Sequence, residues 1–364
     1  MRPALWSPDG VEPLPGTTYL EHLERLLPAE GRGPLPNGGF PLPDEPEHEP
    51  GSAGWWRSSL DGVMSVRGGR STGDSPLLAA AAVLEACRNP LGTVSVHTVA
   101  VRLTALQSPQ DVDRMLEAIR LDVRASRLRL AELGRWLCRF GVHAWQVKGG
   151  LALLGVSGTP GDVPLVARLG LLDAVTLYAA VALRNLLPAA EAEIFDLAKQ
   201  VEGWGRIHCV LRLKNSRRPD VADWLLRGGY DSGVMVEELA YVAVTTGGLV
   251  AALQGTVDEE QLDHAGILLA AMAVGGPAED MSDWPAGELA LELYLDRMET
   301  APASLERLSS LRTIHRYLCR DAGRNPHLSD SARVALRGRL RGVLARADWR
   351  RAVENGWGAD VLPA

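Results

Sequence analysis

From Ser75-Pro76 onward the chain repeats one pattern. Stretches of about 10 to 16 residues carry apolar side chains at helical spacing, and short Gly, Pro or Asp turns separate them. The pattern predicts helices near 76–88, 110–121, 125–140, 143–155 and 161–170, then 173–187, 190–201, 204–215, 219–228, 234–246 and 258–274, and finally 285–299, 303–322, 329–346 and 348–356. Several ends are legible. Ser108 precedes Pro109, a capping residue before proline at the first helical position, and Thr159-Pro160 repeats the device. Ser329 precedes Asp330 in the same way, and Gly141, Gly158, Gly228 and Gly323 fall where C-terminal caps belong. Thr93–Leu103 alternates in part and is compatible with a strand. A helix is expected there because no partner strand is visible elsewhere.

Before residue 76 the pattern breaks down. The first fifty residues hold 11 of the 23 prolines. Within them Tyr19–Leu27 reads as a short amphipathic helix, capped by Thr17 or Thr18, with Leu20, Leu23, Leu26 and Leu27 on one face. Pro28–Pro50 cannot sustain a helix or a central strand, because proline removes backbone donors. It is expected to drape over the body or to stay mobile. Trp55–Arg70 is irregular, with a turn or short hairpin at Asp61-Gly62. The sequence therefore divides into a Pro/Gly-rich N-terminal segment, 1–75, and a helical domain, 76–364.

Composition supports helix over sheet: 46% of residues are hydrophobic, 5% are aromatic, and only 3 are Phe. A net charge of −7 gives no chain-wide attraction to nucleic acid or anionic membrane. Lysine occurs only at Lys148, Lys199 and Lys214, so nearly all positive charge is arginine. A GC-rich genome accounts for that bias, whereas bidentate anion binding requires arginines clustered in space. Cys87, Cys138, Cys209 and Cys319 are far apart and form no CxxC pair, so buried free thiols are expected and no metal ribbon or redox pair. Residues 1–16 lack the basic and apolar regions of a signal peptide, and no apolar run reaches membrane-spanning length. A soluble cytoplasmic protein without cofactor is the expectation.

Short helices in sequence with tight turns are the grammar of stacked antiparallel pairs, an all-α solenoid. Arg135–Gly141 (RWLCRFG) resembles Asp223–Gly229 (DWLLRGG), and each precedes a helical stretch ending in glycine. Their tryptophans are 88 residues apart, about two repeats of roughly 40–47 residues. Leu165–Leu187, Ile207–Gly228, with its Arg218-Pro219-Asp220 turn, and Val343–Gly356 resemble HEAT-type repeats. The resemblance covers about two-thirds of the chain, implies a HEAT-like α-solenoid and transfers no active site.

Candidate chemistry is local. In Val201–His208 (VEGWGRIH) two glycines flank Trp204, so a ligand could approach the backbone with Trp204 stacking and Arg206 holding an anion; a tight inter-helix turn explains the same residues. Glu237, Glu238 and Tyr241 share helical spacing, so a carboxylate could face Arg206 or His208 across a helix pair, or simply favour a helix start. Asp223 beside Trp224 pairs an acid with an aromatic, as in HEAT-like DNA glycosylases. No HExxH or HxxxH spacing occurs. Gly69–Gly73 matches GxSxG in form, without the strand and helix that motif needs. Seven arginines between Arg333 and Arg351 form either a basic face or the polar outer surface of a terminal helix. The reading favoured by the sequence is a non-enzymatic scaffold that binds a protein partner on a concave face. The alternatives are an enzyme or small-ligand binder with a polar pocket near 204–241, and a nucleic-acid binder.

Overall fold

The computed structural model describes residues 10–28, 31–45, 73–88, 93–122, 125–276, 278–320 and 325–354. The Asp61-Gly62 hairpin, nearly all of the GxSxG-like stretch and the Gly323 cap lie outside them. Among the described residues the regular structure is entirely helical, with no strand. The chain forms two compact units, Met1–Arg212 and Leu213–Ala364.

Unit 1 contains α1 (Tyr19–Leu26), α2 (Ser75–Arg88), α3 (Thr93–Leu103), α4 (Pro109–Arg120) and α5 (Arg127–Phe140). It continues through α6 (Ala144–Ser157), α7 (Val163–Leu169), α8 (Asp173–Leu186), α9 (Glu191–Ala198) and α10 (Gly203–Arg212). The ambiguous stretch at 93–103 is helix. Local chemistry sets the starts. Thr18 and Glu21 form a reciprocal capping box on α1, and Ser108 caps α4 with Pro109 behind it. His143 Nδ1 accepts from Trp145 N while Gln146 reaches back to the N–H groups of Val142 and His143 at the start of α6.

Consecutive helices pair as α5 with α6, α7 with α8 and α9 with α10, and the second members also pack in turn: α4 on α6, α6 on α8, α8 on α10. Gly134 and Gly150 let α5 and α6 approach closely, since a Cβ on either would lie 3.0 Å from the other's carbonyl oxygen. The Pro-rich stretch 31–45 drapes over this body. Asp44 accepts from Tyr19 Oη and from Ala144 N at 3.1 Å, placing a carboxylate at the N-terminus of α6.

Unit 2 contains α11 (Pro219–Trp224), α12 (Ala240–Thr246), α13 (Leu249–Gln254), α14 (Glu259–Val274), α15 (Gly287–Met298), α16 (Leu305–Leu318), α17 (Asp330–Leu344) and α18 (Ala347–Glu354). Here α12, α14 and α16 form one packed row and α13, α15 and α17 another. Two stretches differ from expectation. The helix predicted at 219–228 stops at Trp224 and opens into a π-turn, Leu225–Gly229, because Gly228 takes φ +103°. The helix predicted at 234–246 is a 3₁₀ turn, Val236–Glu238, followed by α12. Cys319 corrects the cysteine expectation: it is exposed at the end of α16, whereas Cys87, Cys138 and Cys209 are buried. No helix of the described residues is long and apolar enough to cross a membrane.

Candidate functional site

The glycine-flanked segment singled out from sequence is the start of α10. Gly203 takes φ +61°, a conformation costly for other residues. Asp173, the first residue of α8, accepts a hydrogen bond from Gly205 N. A Cβ on Gly205 would lie 2.8 Å from Thr176 Oγ1 and 3.0 Å from Asp173 Oδ1. Thr176 Oγ1 in turn donates within 2.9 Å of the carbonyls of Gly170 and Leu172. The two glycines thus let the starts of α8 and α10 meet through one carboxylate.

Trp204 and His208 follow one turn apart on the buried face of α10, with ring centroids 6.1 Å apart. Arg206 is half-buried, and its Nε donates back to Val201 O at 2.9 Å. The other five sequence candidates belong to unit 2. Asp223 is exposed and pairs with Arg227, which also bridges Asp258 and Glu260. Trp224 covers Gly229, where a Cβ would meet the indole at 2.5 Å. Glu237 packs along Gly276, Glu238 is buried in the 3₁₀ turn, and the half-buried Tyr241 ring has Lys214 Nζ 5.2 Å from its centroid.

Sequence reading passed over a buried polar cluster in unit 1. Lys148 of α6 is 2% exposed, and its Nζ stands 4.2 Å from the Trp145 ring centroid and 5.7 Å from that of Tyr178. Burial pushes the Asp173 carboxyl up to about 6, against the lowering effects of Gly205 N–H and the Lys148 charge. Burial also drives His208 down to about 3, with the Arg212 charge adding to it, so the imidazole is neutral. Burial raises the Cys87 and Cys209 thiols to about 12, which leaves them unreactive.

Beside this cluster lies a cavity of about 220 Å³. Its floor is the row α6–α8, including Leu151, Tyr178 and Val181; Asp113 of α4 lines it, and so does Arg212 at the end of α10. Partial desolvation raises the Asp113 carboxyl although the side chain reaches solvent. Burial and the neighbouring Arg184 charge lower Arg212, with Cys209 opposing them. Unit 2 has a cavity of about 270 Å³ lined by Asp280, Tyr317, Arg320, Asn325 and Arg333. Its polar groups largely serve one another: Asn325 Nδ2 donates to Tyr317 Oη at 2.7 Å, and Arg333 to Arg320 O at 3.0 Å. Among the described residues no group of three His, Cys, Asp or Glu side chains could hold a metal ion.

No protein-family model, curated protein or solved structure matches the chain.

Proposed function

We propose that the chain is a HEAT-like α-solenoid of stacked antiparallel helix pairs that works as a scaffold for a protein partner. The observation that carries this reading is the packing order: α4, α6, α8 and α10 pack successively in unit 1, and α12, α14 and α16 do so in unit 2. A row of helices packed in succession presents a continuous face, and such faces bind extended partners. Partner contacts fall, within each unit, to the sequence candidates that reach solvent: Arg206 in unit 1, and Asp223, Trp224, Glu237 and Tyr241 in unit 2. Trp204, His208 and Glu238 are buried and take no part in partner contact.

The test is capture from the chain's own cell lysate, followed by reconstitution of the retained protein with the purified chain. An Arg206→Glu, Asp223→Arg, Glu237→Lys triple variant runs in parallel. The reading expects a stoichiometric complex that the variant loses while its circular dichroism melt is unchanged. A chain that retains no protein stoichiometrically, or a complex indifferent to all three charge reversals, removes the scaffold reading.

A further inference from the structure

The unit 1 cavity is lined by a cation, Arg212 of α10, by a carboxyl group, Asp113 of α4, and by apolar residues of α6 and α8, which pack in order between those two helices. Arg212 donates through one terminal nitrogen to His208 O at 2.7 Å. Among the described residues the rest of its guanidinium has no acceptor and no carboxylate pairs with it, and those nitrogens are not sealed off from solvent. Arg184, exposed on α8 outside the cavity lining, adds a further positive charge that disfavours the Arg212 charge. An anion bound on Arg212 relieves that repulsion, and a planar carboxylate matches the guanidinium fork. Leu151, Leu177 and Val181 line the floor, and Val181 is 40% exposed. Asp113 lines the cavity from α4, with no hydrogen bond or ion pair among the described residues.

We propose that this cavity binds a small amphipathic monocarboxylate, with its carboxylate on Arg212 and its apolar body over Leu151, Leu177 and Val181. The volume, about 220 Å³, lies below the range of drug-sized ligand sites, about 300–1,000 Å³, so the ligand is a small one. Asp113 sets the specificity: a second carboxylate at the far end meets a like charge or an acid that burial already disfavours ionising. The site is independent of the scaffold reading, because every lining residue belongs to unit 1 and none of the proposed partner contacts takes part.

Isothermal titration calorimetry of the full chain against hexanoate, 1-hexanol, hexylamine and adipate tests this. Hexanoate is expected to bind, the alcohol and amine at least about tenfold more weakly, and the dicarboxylate also more weakly. Arg212→Met is expected to cost hexanoate about tenfold or more. Val181→Asp, at an exposed lining position where a carboxylate would repel the ligand, is expected to weaken hexanoate at least several-fold and decides the matter if Arg212→Met does not fold. Asp113→Asn is expected to narrow the gap between adipate and hexanoate. The proposal is overturned if none of the four probes binds, if 1-hexanol binds as tightly as hexanoate, or if Val181→Asp leaves hexanoate affinity unchanged.

Discussion

Two buried junctions, one in each unit, hold charge by opposite means. In unit 2, Arg307 of α16 is 2% exposed, and all its guanidinium nitrogens have acceptors: Nε bonds Asp263, and the terminal nitrogens bond Pro302 O at 3.0 Å and Glu259 O at 3.2 Å. A guanidinium cannot shed its proton, so burying it costs least with its bonds made, as here. In unit 1, the buried Asp173 and His208 are groups that can discard charge, and burial pushes both toward neutrality. A fully bonded ion pair ties α16 to α14, whereas the α8–α10 contact runs through Asp173, a carboxyl that burial raises to about 6.

The largest expected effect is in unit 2. Arg307→Leu leaves the half-buried Asp263 without its partner and costs about 3 kcal/mol. Hydrogen exchange by mass spectrometry should show faster exchange in α14 and α16, with unit 1 unchanged. Arg307→Leu with Asp263→Leu should recover much of that loss. A single variant that exchanges like the wild type would show that the pair contributes nothing.

Next is the pH response of unit 1. The Asp173 carboxyl is raised from 3.8 to about 6 in the fold, so its contribution is fully present below pH 3.8 and is lost as pH rises through about 6. His208 runs the other way. Its folded value of about 3 lies below 6.5, so stability is lost as pH falls from 6.5 toward 3, because only the unfolded chain takes up the proton. Between pH 6 and 4 the two slopes oppose each other at about 1.4 kcal/mol per unit. Asp173→Asn should expose the His208 slope. The wild type's advantage over the variant should shrink by up to about 3 kcal/mol between pH 4 and 6, read from urea unfolding. A constant difference across that range would mean that Asp173 does not titrate there.

How far sequence carried the reading depends on the range of the interaction. Caps were legible at Ser108 and Ser329 because a cap is set by residues three apart. The π-turn at 225–229 was not, because it depends on Gly228 at positive φ and on Trp224 folding over Gly229. The short helix α13 was missed because Gly247-Gly248 read as a stop; Gly248, at φ +70°, instead starts a new helix. Of the arginine-rich C-terminal run, Arg339 bridges Asp296 and Glu299, and Arg346 bonds the carbonyls of Met298, Glu299 and Ala301. Both arginines fasten the terminal helices to the unit, a use that charge spacing could not reveal. Asp113 and Arg212 sat unnoticed among the polar positions of two amphipathic helices, and only the packing of α6 and α8 between them makes them neighbours of one cavity.

The smallest effect tests the glycine pair that sequence had left open between ligand approach and a tight turn. If close packing explains it, Gly205→Ala should act as overpacking: the new methyl meets Thr176 Oγ1 and Asp173 Oδ1 and costs about 2 kcal/mol. Gly266→Ala is its counterpart in unit 2, where a Cβ would run into the buried Tyr294 hydroxyl, and a loss of similar size is expected there. The two should differ in pH dependence. Displacing Asp173 from Gly205 N removes a bond that favours the carboxylate, so the Gly205→Ala penalty should grow as pH rises through about 6. The Gly266→Ala penalty should stay flat, because tyrosine does not titrate in that range. Equal pH profiles for the two variants would mean that the contact at Gly205 is steric alone, and that the α8–α10 junction is packed in the same way as its counterpart in unit 2.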